Sequence, residues 1–374
     1  MTDGGAAPSL RDLVAHRHVL VCCGTGGVGK TTTSAALAIE GARRGRRTVV
    51  VTIDPAKRLA NALGLQTLSD TPNEIPRAAW DPLGTAAPTG RLFALMLDTE
   101  RTFDQLVQKY ALTPEQAESI LENRFYRNVA GALSGTQEYM AMEKLFDLHD
   151  SGAFDLIVVD TPPTRHALDF LDAPRRLTRL LDNRVFRMVM VPAGAAMRIG
   201  SIAATALLRT ISRVVGTEAV DDAVAFFRAF EGMEQGFRDR ANEVMGLLES
   251  RETAFVLVTS PRRDAVEEAE FFAERLAVAR HSVDALVINR VHPRFTEESP
   301  AALRDRAAGA PAELAARIAN LADFEEVARR ERDELLGLEQ RIGSAPVTYV
   351  PELGRDVHDF AALRAVGAHL AGGG

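Results

Sequence analysis

Lysine is scarce in this chain of 374 residues. Only Lys30, Lys57, Lys109 and Lys144 stand among 44 basic residues. The rest of the positive charge is arginine, yet Lys30 falls in a glycine-rich slot where a compact ammonium is needed. Cysteine is scarcer still, with only Cys22 and Cys23, side by side. Neighbours on a strand point to opposite faces, so no disulfide is expected between them and they read as small buried apolar residues. No C-x-x-C occurs, so no cysteine-held zinc is expected. This usage fits a reducing compartment, and a cytoplasmic protein is expected. Long apolar runs are missing as well. The most apolar region, Val185–Val215, is interrupted by Arg187, Arg198, Arg209 and Arg213. Nothing approaches the ~20 uncharged residues of a membrane span. Met1–Ser9 is polar and glycine-rich, without the apolar centre of a signal peptide. Basic excess is also lacking. The net charge is −7 and the isoelectric point is near 5.7, so nucleic acid is not expected as a main partner.

What is present is a globular composition, 46% hydrophobic and 25% charged, and one dense motif. Gly24-Thr25-Gly26-Gly27-Val28-Gly29-Lys30-Thr31-Thr32 follows an apolar run and opens a segment, Thr31–Arg43, that reads as a helix. The spacing G-x-x-x-x-G-K-[ST] in that context is a phosphate-binding loop. Glycines permit backbone angles that side chains forbid. Amides of Gly26, Gly27, Val28, Gly29, Lys30, Thr31 and Thr32 can then converge on phosphate oxygens at a helix N-terminus, where the dipole favours anions. Lys30 is expected on the β- and γ-phosphates and the Thr31 hydroxyl on Mg²⁺. ATP and Mg²⁺ are the expected ligands.

The strand candidates are His18–Cys23, Arg47–Ile53, Leu92–Leu97, Asp155–Val159, Phe255–Val258, Ala285–Ile288 and Val347–Val350. Most are continuous apolar runs, the mark of strands covered on both faces, and they alternate with helical segments. The expected fold class is α/β, a P-loop NTPase. Its twisted, mostly parallel sheet should have seven or eight strands with helices on both faces. Thr67–Gly90, rich in Pro, Thr and Gly, reads as a surface loop. Thr113-Pro114-Glu115-Gln116 supplies an N-cap, a proline at N1 and a Gln at N3, so a helix should begin there. The whole chain, 1–374, is expected to be one P-loop domain. Its helical subdomain is inserted from about 101–150 and 175–250.

Two strand ends carry carboxylates. Asp54 follows the second strand, where it either caps the next helix or handles the water that attacks the γ-phosphate. Asp160 ends Leu156-Ile157-Val158-Val159, the arrangement in which a carboxylate supports Mg²⁺.

The loop, the turn Asp54-Pro55-Ala56 and the segment Asp160-Thr161-Pro162-Pro163-Thr164-Arg165-His166-Ala167-Leu168 together resemble the ArsA-type ATPases. That family includes the arsenite-pump ATPase and the ATPase that delivers tail-anchored membrane proteins. The resemblance covers most of the chain. It implies that Asp54 acts on the attacking water, that Asp160 opens the second switch, and that both lie at the metal with Thr31. It also implies that Asn289, in Val287-Ile288-Asn289-Arg290, contacts adenine, and that Pro351 and Leu353 belong to an adenine-covering loop. Dimers with nucleotide at the subunit interface, and an apolar groove for a client helix, follow from it too.

Three departures matter. The family loop carries a lysine ahead of Gly-Gly that reaches phosphates of the opposite subunit; here Thr25 stands there. Losing such a cation costs on the order of 10³-fold in rate. The zinc C-x-x-C of the eukaryotic targeting branch is absent, and so are the arsenite-binding cysteines. Three readings compete. One is an ATP-driven targeting or chaperone factor for a hydrophobic or membrane-protein client. A second is a low-activity regulatory subunit in a heterodimer with a lysine-containing paralogue. The third is a partitioning or positioning ATPase, which the acidic charge and large insertions disfavour. Val185–Phe237, with Met188, Met190, Met197, Met233, Phe226, Phe227, Phe230 and Phe237, reads either as a client groove or as helix-packing core. The arginines Arg175, Arg176, Arg179, Arg184 and Arg187 read as a solvated helix face, with peripheral contact to anionic lipid as the minority reading.

Overall fold

The computed structural model describes residues 9–53, 58–65, 67–124, 126, 136–162, 173–176, 178–179, 218, 222, 225–226, 229–354 and 356–372. These residues divide into two compact units.

The first unit spans residues 1–96, 151–168 and 251–374 and is built on a sheet. Its strands are β1 (Val19–Gly24), β2 (Arg47–Thr52), β3 (Asn73–Ile75), β4 (Arg91–Met96), β5 (Leu156–Asp160), β6 (Thr253–Thr259), β7 (Ala285–Val291) and β8 (Val347–Pro351). Their order across the sheet is β3-β4-β2-β5-β1-β6-β7-β8. Every pairing is parallel except β3 with β4. β1 therefore lies centrally, between β5 and β6. The chain moves one way from β1 through β2 to β4 and the other way from β6 to β8. That reversal creates the crevice at strand carboxyl ends where α/β sheets bind ligands. All six residues of β1 are buried, which explains its unbroken apolar sequence. Both cysteines are free and buried there, and burial pushes the Cys22 thiol up to about 12. They act as small apolar residues.

Helix α1 (Leu10–His16) is closed by a capping box between Ser9 and Asp12. Helix α2 (Lys30–Arg43) buries Ala35, Ala36, Leu37, Ala38 and Ile39 in the sheet's core. A short α3 (Arg58–Ala62) follows β2. Residues 67–90, expected to be a surface loop, instead contain β3 and a single-turn helix, α4 (Arg77–Trp80). Trp80 is only 1% exposed and its indole donates to the Ile75 carbonyl at 3.3 Å. One large aromatic outweighs the turn-forming composition around it, because its burial removes so much apolar area from water. Asp81 then organises the following turn, accepting from the amides of Thr85 at 2.9 Å and Ala86 at 3.1 Å.

The second unit spans 97–150 and 169–250. Among its described residues are helices α5 (Thr99–Tyr110), α6 (Pro114–Leu121), α7 (Thr136–Asp150) and α8 (Glu234–Glu249). α6 begins where its signals placed it: Thr113 caps the Gln116 amide, with Pro114 at the first helical position. An aromatic cluster of Phe103, Tyr110, Tyr126, Phe226, Phe230 and Phe237 packs with ring centroids 5.1–6.5 Å apart. Phe230, Met233 and Phe237 are at most 7% exposed, so these members of the methionine- and phenylalanine-rich stretch are core. Met188, Met190, Met197 and Phe227 lie outside the described residues.

The first unit is completed by α9 (Arg263–Val278), α10 (Pro300–Ala308), the 31-residue α11 (Ala312–Ile342) and α12 (Phe360–Leu370). Among the described residues no helix is long and apolar enough to cross a membrane.

Candidate functional site

The glycine-rich loop joins β1 to α2 at the carboxyl edge of the sheet. Two of its glycines are dictated by geometry. A Cβ on Gly24 would sit 2.0 Å from the Val258 carbonyl oxygen, so β6 can approach only a glycine. Gly29 adopts φ 97° and would place a Cβ 2.1 Å from the Asn289 side-chain nitrogen. Gly29 is also the N-cap of α2, and no side chain caps it. The first amides of α2 therefore point outward without a side-chain acceptor, which is the requirement for anion binding at a helix N-terminus.

Lys30 is 6% exposed. Its Nζ donates to the Thr25 carbonyl at 2.6 Å, which folds the ammonium back over the loop. Thr31 Oγ1 donates to Asp160 Oδ2 at 2.8 Å, and Thr52 Oγ1 donates to the same oxygen at 3.1 Å. Three elements thus converge: the start of α2 and the ends of β2 and β5. Asp160 is 1% exposed, and a buried carboxylate needs this density of donors. Thr161 continues the chain with its hydroxyl on the Cys22 carbonyl at 2.8 Å. Hydroxyls and a carboxylate form a hard-oxygen donor set, which suits Mg²⁺ and not a soft metal. The residues present fit that ion, with Thr31 and Asp160 in position to hold it directly or through water.

A cleft of about 280 Å³ opens over this cluster, lined by Gly27, Gly29, Lys30, Thr31, Thr32, Asn61, Ala62, Thr161, Arg290, Val357 and His358. Asp54, expected to handle water, lies outside the described residues. Asn289 is half-buried, and its side-chain amide donates to the Val28 carbonyl at 2.8 Å. It braces the loop and does not itself line the cleft. Pro351 ends β8 opposite Val291, and Leu353 packs against the hydrophobic core. Neither lines the cleft. Val357 and His358, a few residues further on, do.

Sequence reasoning missed Thr52, Asn61, Arg290, Val357 and His358. Thr52 was readable as the polar end of an apolar strand. Arg290 stands in the stretch Val287–Arg290, but only Asn289 carried an expectation there. Asn61, Val357 and His358 carry no local motif and become visible only once the sheet brings strand ends together.

The family model described as anion-transporting ATPase matches residues 17–328. The chain is 27% identical over 293 residues to an ATPase ASNA1 homolog of Cryptosporidium parvum, covering 77% of this chain and 70% of that protein. It is 29% identical over 181 residues to ATPase GET3 of Malassezia globosa, covering 48% of this chain and 50% of that one. An uncharacterized protein of Streptomyces coelicolor is 29% identical over 285 residues, 76% of this chain and 64% of its own length.

Proposed function

The chain belongs to the anion-transporting ATPase family, and on that premise we propose that it binds ATP with Mg²⁺ and hydrolyses it in the cleft above α2. The observation that carries this is the contact of the Thr31 hydroxyl with the Asp160 carboxylate at 2.8 Å, beside Lys30 and the uncapped helix N-terminus. Loop amides and Lys30 hold the phosphate chain. Bound Mg²⁺ would offset phosphate charge between Thr31 and Asp160. Asp54, next after Ile53 at the end of β2, orients the attacking water. Asn289 presents its remaining polar atoms to the base, and the end of β8 with the segment that follows, Pro351 and Leu353 included, covers it.

In this reading the 374 residues are one ATPase domain with the second unit as its helical insertion. Nucleotide turnover opens and closes a homodimer in the cytoplasm, and the work is done on a hydrophobic or membrane-protein client. The absence of C-x-x-C supports a dimer formed without zinc. Thr25 favours a second reading, a slow subunit that pairs with a lysine-bearing paralogue, since threonine supplies no cation to a partner's phosphates. A positioning ATPase on DNA fits less well with a net charge of −7.

The test is equilibrium binding of ADP and ATP with and without Mg²⁺, together with phosphate release. Tight Mg²⁺-dependent binding is expected, with turnover abolished in Lys30→Ala and Asp160→Ala. A full-length protein that binds no adenine nucleotide under either condition refutes the proposal. Light scattering with and without a slowly hydrolysed ATP analogue tests the dimer. Turnover of Thr25→Lys separates the two readings: a large gain supports the slow-subunit reading.

A further inference from the structure

Arg290 occupies a backbone conformation that its side chain disfavours. Its φ is 61°, and only one other described non-glycine residue, Arg280, has positive φ. Arg280 follows the end of α9, where such angles are common. Arg290 lies inside a strand pairing. The register between β7 and β8 slips between Asn289 and Val291, so Arg290 is the extra residue of a bulge. Bulges re-aim side chains and recur next to active sites, and strained residues of this kind gather at ligand clamps. This bulge turns Arg290 onto the phosphate loop, where its Nη1 donates to the Gly27 carbonyl at 3.2 Å. The preceding Asn289 holds the next carbonyl, that of Val28.

The charge around it is uneven. The nearby arginines are neutralised: Arg262 pairs with Asp264 at 2.6 Å and Arg294 with Glu325 at 3.3 Å. His292, two residues on, bonds Glu331 at 2.7 Å. Arg290 is exposed, and its one described hydrogen bond is to a main-chain carbonyl. That bond leaves most of its five donors and its full charge available. It lines the cleft that holds Lys30, Thr31 and Thr32. It also lines a neighbouring hollow of about 250 Å³ that includes Thr25 and Gly26. A planar guanidinium is the side chain best suited to phosphate oxygens. Thr25, on the same loop, carries no charge.

We propose that Arg290 is a second cation of the nucleotide site, contacting the terminal phosphate of ATP from within the same chain and supplying charge that Thr25 does not. This rests on the ATP-binding reading above. It makes the site electrostatically complete without a residue from another subunit.

The experiment uses the full-length protein and the variants Arg290→Gly, Arg290→Lys and Thr25→Lys/Arg290→Gly. Glycine is the informative replacement, because it removes the side chain while accepting φ 61°, so the fold is kept and a thermal melt verifies it. Affinities for ADP and ATP and the turnover rate are measured. Arg290→Gly should weaken ATP by about tenfold more than ADP and lower kcat on the order of 10²-fold, as loss of one transition-state donor does. Arg290→Lys should keep part of the rate, and the double variant should regain part of it. Equal weakening of ADP and ATP would overturn the proposal, since Arg290 would then serve only the base or brace the loop. An unchanged Arg290→Gly would overturn it too, with ATP binding by the parent protein intact. If the parent protein binds no nucleotide, the underlying reading fails along with this one.

Discussion

Replacing Arg240 by alanine should open the second unit, and the structure gives the size of the effect. Arg240 on α8 is 3% exposed and Glu143 on α7 is fully buried. Their Nε and Oε2 atoms lie 2.7 Å apart. The second guanidinium arm bonds Asp147, the Tyr139 hydroxyl bonds Glu143, and the guanidinium lies 4.0 Å from the centre of the Phe146 ring. Removing the arginine leaves Glu143 buried without its counter-charge, a class of change that costs ~3–5 kcal/mol. At about 1.4 kcal/mol per decade, hydrogen exchange of α7 and α8 should accelerate on the order of 10³-fold. The effect should depend on pH in a fixed sense. Burial already holds the Glu143 carboxyl above its ordinary value of 4.5, against the opposing pull of Arg240 and Tyr139. A raised carboxyl contributes stability in full below its unfolded pKa and loses that contribution as pH rises through the folded one. Without Arg240 the carboxyl rises further, so the deficit of Arg240→Ala should be smaller at pH 5 than at pH 8. The triple variant Tyr139→Phe/Glu143→Leu/Arg240→Met removes both buried charges, leaves the partly exposed Asp147 and Glu243 at the rim, and should recover to within ~2 kcal/mol of the parent. If Arg240→Ala costs under ~1 kcal/mol, or its deficit is the same at both pH values, the pair does not hold the helices together as described.

Three further outcomes follow from the first unit. Gly29→Ala meets both φ 97° and a contact of 2.1 Å with Asn289, so it should lose nucleotide affinity at least tenfold and ~1–3 kcal/mol of stability; binding titration and urea unfolding check both. Asp81→Ala removes the acceptor of two turn amides and of Arg77 and should make residues 67–90 sensitive to limited proteolysis. Burial opposes ionisation of Asp81, but the amides of Ala86 and Thr85 and the Arg77 guanidinium outweigh it and hold the carboxyl below 3.8. The parent's own protection should therefore persist above that pH and fade as pH falls below it. Cys22 and Cys23, buried with raised thiol pKa values, should react with a thiol reagent only after unfolding. Fast labelling of the native protein would contradict their place in β1.

How much of this was legible before the fold differs between strand and site. The central strands declared themselves because burial on both faces forces an uninterrupted apolar run, as in Leu156–Val159. Lys30 and Thr31 declared themselves because phosphate binding fixes their spacing from the glycines. β3 and α4 did not, since Trp80 is a single residue in a stretch of turn formers and its burial depends on a core contributed from elsewhere. The far wall of the cleft was illegible for a deeper reason. Asn61, Arg290 and Val357 are far apart in sequence and meet only through strand order. Arg290 adds a second difficulty: sequence shows an ordinary arginine at the end of a strand, while its left-handed backbone and the register slip beside it arise from the pairing of β7 with β8. The loop announced which anion it grips. How the site compensates for an uncharged Thr25 depends on where a bulge 265 residues later aims one side chain.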